Sequence, residues 1–118
     1  MAITGLHAIL YSKQDEATRA FFRDVLGLPS VDAGRGWLIF KAPPAELAVH
    51  PSDDKAFHEL YLMCDDVEQT IAELNAKGVA TSPVQEQRWG RLTSITLPGG
   101  ETLGLYQPKH PTAIDLKA

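Results

Sequence analysis

Four side chains that can accept, donate or hold a proton stand out in the sequence: His7, His50, Glu59 and Tyr106. Imidazoles and carboxylates are the usual general acids and bases, and a carboxylate becomes a better base where an apolar cleft raises its pKa. Glu59 is therefore a candidate general base, with a simple ion pair as the alternative. Tyr106 is a candidate to orient a substrate through its hydroxyl, or else it only packs. Such chemistry requires the fold to bring these groups into one cleft.

The elements that would position these groups occur in two matching halves. In the first half, the pattern predicts a strand, a helix and two more strands at residues 6–11, 15–26, 36–40 and 46–50. In the second half, it predicts the same order at residues 59–64, 67–77, 91–97 and 102–106. The second helix is marked by a capping-box pair, Asp66 and Gln69, and by Gly78 after its last turn. Repeated units of this size usually pack as pseudo-symmetric partners.

Strand alternation predicts which side chains face the cleft. Successive residues of a strand point to opposite faces, so the apolar residues at 60 and 62 face the helices and Glu59 faces the other way. The same rule puts His7 and His50 on the concave side, together with Gly104 and Tyr106. A slip of one residue in register would invert any of these strands.

Aromatic residues and an arginine are candidate substrate contacts. Trp89 follows an arginine in a predicted turn, where it could form a stacking wall or lid, whereas core filling is the stronger reading for Trp37. Tyr61 and Tyr11 lie on the predicted concave faces, and Arg91 beside Trp89 could bind an anionic substrate group. Packing is the plain alternative for the tyrosines.

Composition limits the class of protein. The chain has 118 residues, enough for one domain, and a net charge of −4, which disfavours a nucleic-acid partner. A single cysteine, Cys64, excludes an internal disulfide. The absence of a long apolar run argues against a membrane partner, and without a signal-peptide pattern we expect a cytoplasmic protein. His58 and His110 are predicted to be surface residues.

Three stretches resemble the vicinal oxygen chelate superfamily, which includes glyoxalases, bleomycin-resistance proteins and extradiol dioxygenases. They are "LHAILYSKQDEATRAFFRDVLGL", "ELYLMCDDVEQTIAELNAKGV" and "WGRLTSITLPGGETLGLYQ". The resemblance implies an α+β fold of two pseudo-symmetric βαβββ modules, with mixed sheets curling around a central cleft. It implies one domain over residues 1–118, with module one at about 1–52 and module two at about 56–110, commonly within a homodimer.

The same resemblance implies a divalent metal site that is incomplete here. His7 and Glu59 match ligand positions on the first strand of each module, but Gly104 stands where such enzymes carry a glutamate. His50 is the natural third ligand, although it lies two residues beyond the matching position, roughly 6.5 Å along a strand. Zinc, manganese, nickel or iron would suit such a site, and the alternative is that no metal is bound.

Two functions follow from these observations. The first is a small metalloenzyme, a lyase or dioxygenase, in which a metal on His7, Glu59 and His50 activates an oxygen-rich substrate. The second is a metal-free binding protein of the drug-resistance type, holding a flat ligand between Trp89, Tyr61 and Tyr106. The incomplete ligand set favours the second function, and the matched pair of His7 and Glu59 favours the first. From the sequence we expect the metalloenzyme, with the binding protein as the alternative.

Overall fold

The structure, a computed structural model, describes residues 7–51 and 58–115. The first half contains helix α1 (Asp15–Ala20), which continues as a π-helical turn (Phe21–Val25), and a short hairpin of strands β1 (Ser30–Asp32) and β2 (Leu38–Phe40). The wider turn is visible in its hydrogen bonds, since the amide of Leu26 donates to the carbonyl of Phe21 at 3.1 Å. The predicted helix at residues 15–26 is thus present, with its second half more loosely wound than an α-helix.

The second half forms a complete βαβββ unit. Its elements are β3 (Tyr61–Met63), α2 (Val67–Ala76), β4 (Gln85–Gln87), β5 (Gly90–Thr96), β6 (Thr102–Pro108) and a 3-10 turn (Ala113–Asp115). The four strands form one sheet in the order β3-β6-β5-β4, in which β3 runs parallel to β6 and the other pairs are antiparallel. With the β1-β2 hairpin as a second sheet, the molecule has the mixed α+β architecture that the sequence predicts.

Helix α2 begins and ends where its capping residues predict. The side chain of Asp66 accepts a hydrogen bond from the amide of Gln69 at 3.1 Å. The Gln69 side chain does not return the bond but donates to Glu73 at 3.2 Å, so only half of the predicted capping box forms. Gly78 follows the last turn with φ of +80°, the left-handed conformation that glycine adopts without strain.

The core lies between the helices and one face of the four-stranded sheet. Its fully buried side chains are Val67 from α2, Ile95 and Leu97 from β5 and the following residue, and Leu103 from β6. Phe21 of the π-helical turn joins this cluster, so both halves contribute to one core. Leu103 and Leu105 face the helices, as strand alternation predicts.

Two predicted strands of the first half are not strands in the structure. Residues 7–11 and 46–50 have neither helical nor strand structure, and Leu6 lies outside the described residues. Their side chains are largely open to solvent: Tyr11 is 86% exposed and Val49 is 89% exposed. A strand requires a neighbour to pair its backbone groups, and neither segment has a strand partner within residues 7–51 and 58–115. In these same ranges, none of the helices has the length and apolar character that crossing a membrane requires.

Candidate ligand-binding site

Three aromatic side chains meet on the sheet face opposite the core, and we call them the aromatic cluster: Tyr61, Trp89 and Tyr106. The ring centroids of Tyr61 and Tyr106 are 5.7 Å apart, those of Trp89 and Tyr106 are 5.3 Å apart, and those of Tyr61 and Trp89 are 6.1 Å apart. The rings meet edge to face, with interplanar angles of 81°, 70° and 80° for the three pairs. This arrangement is the favourable one for aromatic quadrupoles.

The strand register explains why these rings meet. Tyr61 of β3 pairs with Gly104 of β6, and two residues further Met63 pairs with Tyr106. Tyr61 and Tyr106 therefore emerge from neighbouring strands on the same face. Trp89 lies in the turn between β4 and β5, and its carbonyl accepts a hydrogen bond of 2.8 Å from the amide of Lys109 just beyond β6. That bond fixes the turn beside the two tyrosines.

Gly104 makes room for the ring of Tyr61. A Cβ atom built on Gly104 would overlap Cδ1 and Cε1 of Tyr61 and lie 3.0 Å from its Cγ. The backbone of Gly104 has no left-handed φ and sits inside a regular strand. The glycine is thus required by space and not by backbone conformation, and an aromatic ring lies over the position where the resemblance implies a glutamate ligand.

The hydroxyl of Tyr61 marks one polar end of the cluster. It donates to Oε2 of Glu59 at 3.1 Å. Burial raises the pKa of the Tyr61 phenol, and the Glu59 carboxylate raises it further. The phenol therefore remains a neutral donor, and Glu59, which is exposed, retains acceptor positions for a ligand.

His110 and Glu46 form the other polar end, beside Tyr106. The Nδ1 atom of His110 lies 2.7 Å from the carbonyl of Pro111, which can only accept, so Nδ1 carries the proton of the neutral ring. Nε2 then accepts from the Tyr106 hydroxyl at 3.1 Å. Glu46 lies 3.9 Å from the same Nε2 and accepts from the amide of Ala113 at 2.7 Å. Burial raises the pKa of Tyr106, and the Glu46 carboxylate adds to this effect.

Sequence reasoning missed the role of His110, which it treats as a surface residue. The side chain of His110 is only 32% exposed and is held between Tyr106 and the chain beyond β6. The available signal is weak: His110 follows Tyr106 by four residues, past Pro108 at the end of β6, so a turn could bring the imidazole back to the phenol. Sequence alone does not give the direction of that turn.

The proposed metal ligands do not assemble into a site. His7 and His50 are exposed and lie outside the helices and strands, while Glu59 bonds to Tyr61. Within residues 7–51 and 58–115, no three histidine, cysteine, aspartate or glutamate side chains are placed to hold a metal ion. The residues present therefore do not fit the metal that the fold family implies, and the set of His7, Glu59 and His50 stays a sequence prediction.

The remaining candidate contacts are Arg91, Trp37 and Tyr11, and each has other surroundings than the ring contacts of the cluster. Arg91 is bound by two carboxylates, Glu86 at 2.5 Å and Glu68 at 2.7 Å, which raise the pKa of its guanidinium, so its charge is already compensated. Trp37, 69% exposed, lies in the turn before β2, and Tyr11 is exposed in the segment before α1. Within the described part of the chain, neither ring stacks on the aromatic cluster.

An open depression of about 370 Å³ lies at another end of the sheet. Its lining comes from the end of β3, the end of β6 and the 3-10 turn, and includes Met63, Cys64, Gln107 and Ile114. The thiol of Cys64 is half-buried, and this burial raises its pKa. The depression is large enough for a small molecule, and Cys64 provides a chemical marker for its occupancy.

Several solved protein structures resemble this chain in fold. No protein-family model matches the chain. No curated protein matches it either. Among solved structures, an antibiotic binding protein, TnmS3 from Streptomyces sp. CB03234, superposes with a TM-score of 0.69 at 25% identity, over 92% of this chain and 99% of that chain. A lactoylglutathione lyase from Agrobacterium tumefaciens superposes with a TM-score of 0.64 at 18% identity, over 88% of this chain and 92% of that chain. A glyoxalase/bleomycin resistance protein from Streptomyces sp. CB03234 superposes with a TM-score of 0.56 at 26% identity, over 81% of this chain and 92% of that chain.

The fold and the aromatic cluster together define an α+β protein with partly exposed aromatic rings on the open face of a βαβββ sheet. Its structural neighbours are glyoxalase, bleomycin-resistance and dioxygenase-domain proteins. In fold the chain is similar to proteins of the vicinal oxygen chelate superfamily, as the sequence resemblance implies.

Proposed function

We propose that the protein binds a small planar aromatic molecule, which stacks on the aromatic cluster. The observation that carries this proposal is the environment of Trp89. Its indole packs against both Tyr61 and Tyr106, yet the residue is 40% exposed. A ring that is already held in place loses little conformational freedom when a ligand covers it, so more of the stacking energy is available for binding.

Hydrogen-bonding groups at both ends of the cluster would orient the ligand. Glu59 next to Tyr61 and Glu46 next to Tyr106 offer acceptor atoms, whereas both ring nitrogens of His110 are already bonded, to Tyr106 and to the carbonyl of Pro111. A ligand hydroxyl or amine at the rim of a flat ring system would suit these acceptors. The cation that the sequence offered for an anionic ligand, Arg91, is engaged with Glu86 and Glu68.

The structural neighbours support a binding role without establishing it for this chain. TnmS3 is described as an antibiotic binding protein, and it covers nearly the whole chain at 25% identity. The lactoylglutathione lyase, at 18% identity, supports the fold alone. The alternative of a metal-dependent lyase or dioxygenase, with Glu59 or Tyr106 moving protons, lacks an assembled set of three ligands in the described residues.

We further propose that a second copy of the chain covers the exposed segments of the first half. Residues 7–11 and 46–50 keep the alternation of strands, and Ile9, Leu47 and Val49 are 63%, 81% and 89% exposed. Covering such side chains would stabilise a dimer by about 25 cal/mol per Å² of apolar surface. Sedimentation should therefore show a dimer that Val49→Asp shifts toward monomer, and a wild-type monomer at all concentrations would contradict this proposal.

The binding proposal is tested with 2-naphthol, a planar fused-ring alcohol. The chain has two tryptophans, so Trp37→Phe leaves Trp89 as the only source of an indole N–H signal in a ¹H–¹⁵N spectrum. We expect 2-naphthol to shift that signal, and calorimetry to show that Trp89→Ala weakens binding about tenfold, the loss for one stacking contact of about 1.4 kcal/mol.

Two controls locate the ligand and test for metal. If 2-naphthol instead protected Cys64 from a thiol reagent and left the Trp89 signal unchanged, the ligand would occupy the depression and the proposal would be wrong. Elemental analysis of the purified protein tests the other function. Stoichiometric zinc, manganese, nickel or iron that is lost in both His7→Ala and Glu59→Ala would establish the metal site in its place.

A further inference from the structure

We propose that two glycines, Gly104 and Gly90, are the positioning residues of the aromatic cluster and restrict its ligands to planar ring systems. The inference rests on the proposed function, because it names the feature that selects the ligand at that site. Both glycines lie in the central strands of the sheet, Gly104 in β6 and Gly90 at the start of β5. Each leaves bare backbone where an aromatic ring lies.

The case for Gly104 is steric. A Cβ on this residue would overlap the edge of the Tyr61 ring, whereas the strand backbone itself would accept alanine without strain. Tyr61 is also the parallel strand partner of Gly104, so the ring cannot avoid a Cβ by a small shift along its strand. Glycine at this position therefore lets Tyr61 lie directly on β6.

Gly90 gives Tyr106 the same room on the next strand. A Cβ on Gly90 would lie 2.9 Å from Cδ2 of Tyr106 and 2.8 Å from the carbonyl oxygen of Gln107. Gly90 is buried and also has no left-handed φ. Two independent glycines thus accommodate the two tyrosine rings of the cluster.

The consequence for ligand choice follows from the height of the rings above the sheet. A side chain at position 104 would lift Tyr61 away from β6, break its bond to Glu59 and push it against Trp89 and Tyr106. With glycine the Tyr61 ring stays against β6, and the three rings, whose planes are nearly perpendicular to one another, form an aromatic corner. A flat ring can contact one face of this corner over its whole area while the edges of the other rings bound it, whereas a puckered saturated ring touches that face at only a few atoms.

A matched pair of ligands tests this selectivity. 2-Naphthol and decahydro-2-naphthol share a scaffold and a hydroxyl but differ in planarity. We expect calorimetry on the wild-type chain to show at least tenfold tighter binding of 2-naphthol, and Gly104→Ala to reduce that ratio to about twofold or less. The near-ultraviolet circular dichroism of the coupled rings should weaken in the same variant.

A double variant and a control variant distinguish the positioning of Tyr61 from general destabilisation of the fold. In a Tyr61→Ala chain no ring remains to be displaced, so adding Gly104→Ala should change neither the binding ratio nor the spectrum. Gly99→Ala is the control, since the nearest atoms that its Cβ would meet are side-chain oxygens of Ser12 and Glu101 and not an aromatic ring, and it should keep the wild-type ratio.

The outcomes also distinguish this inference from the proposed function. An unchanged ratio and spectrum in Gly104→Ala, or an equal loss in the Tyr61→Ala background, would overturn the role of Gly104. Should the wild-type chain bind neither naphthol, the proposed function fails. The circular dichroism of the same variants then decides independently whether Gly104 positions Tyr61.

Discussion

The two halves of the chain share a sequence pattern but differ in structure. In the second half, β3, α2, β4, β5 and β6 form a complete unit with a four-stranded sheet. In the described part of the first half, the corresponding region has a helix and a two-stranded hairpin, and the segments at 7–11 and 46–50 are exposed and unpaired. The aromatic cluster lies on the complete half.

The difference shows that alternation alone does not form a strand. Leu103 and Leu47 occupy matching places in the two halves, yet Leu103 is 1% exposed and Leu47 is 81% exposed. Leu103 has a paired neighbour, Ile95 of β5, and helices above it. A strand gains its burial and its hydrogen bonds from neighbours, so the same pattern has different outcomes where those neighbours differ.

The largest expected effect on stability comes from comparing an isoleucine-to-alanine substitution in the second half with one in the first half. Ile95→Ala removes a fully buried side chain from β5 and should lower the free energy of unfolding by about 2–5 kcal/mol. Ile39→Ala in β2, where the residue is 43% exposed, should lower it by about 1 kcal/mol or less. Urea denaturation of both variants measures the two effects. Equal losses would show that the first half is as well packed in solution as the second.

A smaller effect is expected from the helix caps. Asp66→Ala removes the bond to the amide of Gln69 and should lower the free energy of unfolding by about 1 kcal/mol. Gln14, the matching residue before α1, makes no side-chain cap bond in the structure, so Gln14→Ala should stay within about 0.5 kcal/mol of wild type. Thermal denaturation followed by circular dichroism compares them. A larger loss for Gln14→Ala would reverse this difference between the helices.

The smallest expected effect is the change in stability at alkaline pH that comes from the two tyrosines of the cluster. The pKa values of Tyr61 and Tyr106 are raised mainly by burial, so the folded chain holds both protons more tightly than the unfolded chain. Their stabilising contribution is complete below pH of about 10 and is lost as the pH rises through the raised pKa values. Absorbance at alkaline pH should show two late ionisations.

Single substitutions assign those ionisations. Tyr61→Phe and Tyr106→Phe should each remove one late step, and Tyr11→Phe in the first half should leave both. If all the late absorbance change persisted in the Tyr61→Phe and Tyr106→Phe double variant, the burial of the cluster would be wrong.

Much of the second half was predictable because its signals are local. Asp66 and Gly78 mark the ends of α2, and alternation predicts that Leu105 faces the core while Tyr61 and Tyr106 face the other way. The candidate site was predictable only in part. The meeting of Tyr61 and Tyr106 follows from strand faces, but Trp89 joins them from a turn. The approach of His110 depends on a further turn beyond β6 that no local pattern specifies.

The sequence by itself determined the limits of α2 and the faces of β3 and β6, because capping and alternation are properties of neighbouring residues. The fold class came from the resemblance to a known superfamily. Only the tertiary structure decided that a ring covers Gly104 and that Arg91 is bound by Glu86. It also decided that His7 and His50 lie among the exposed residues outside the helices and strands. These outcomes depend on which strands pair and in what register, and those choices are made by contacts between residues far apart in the chain.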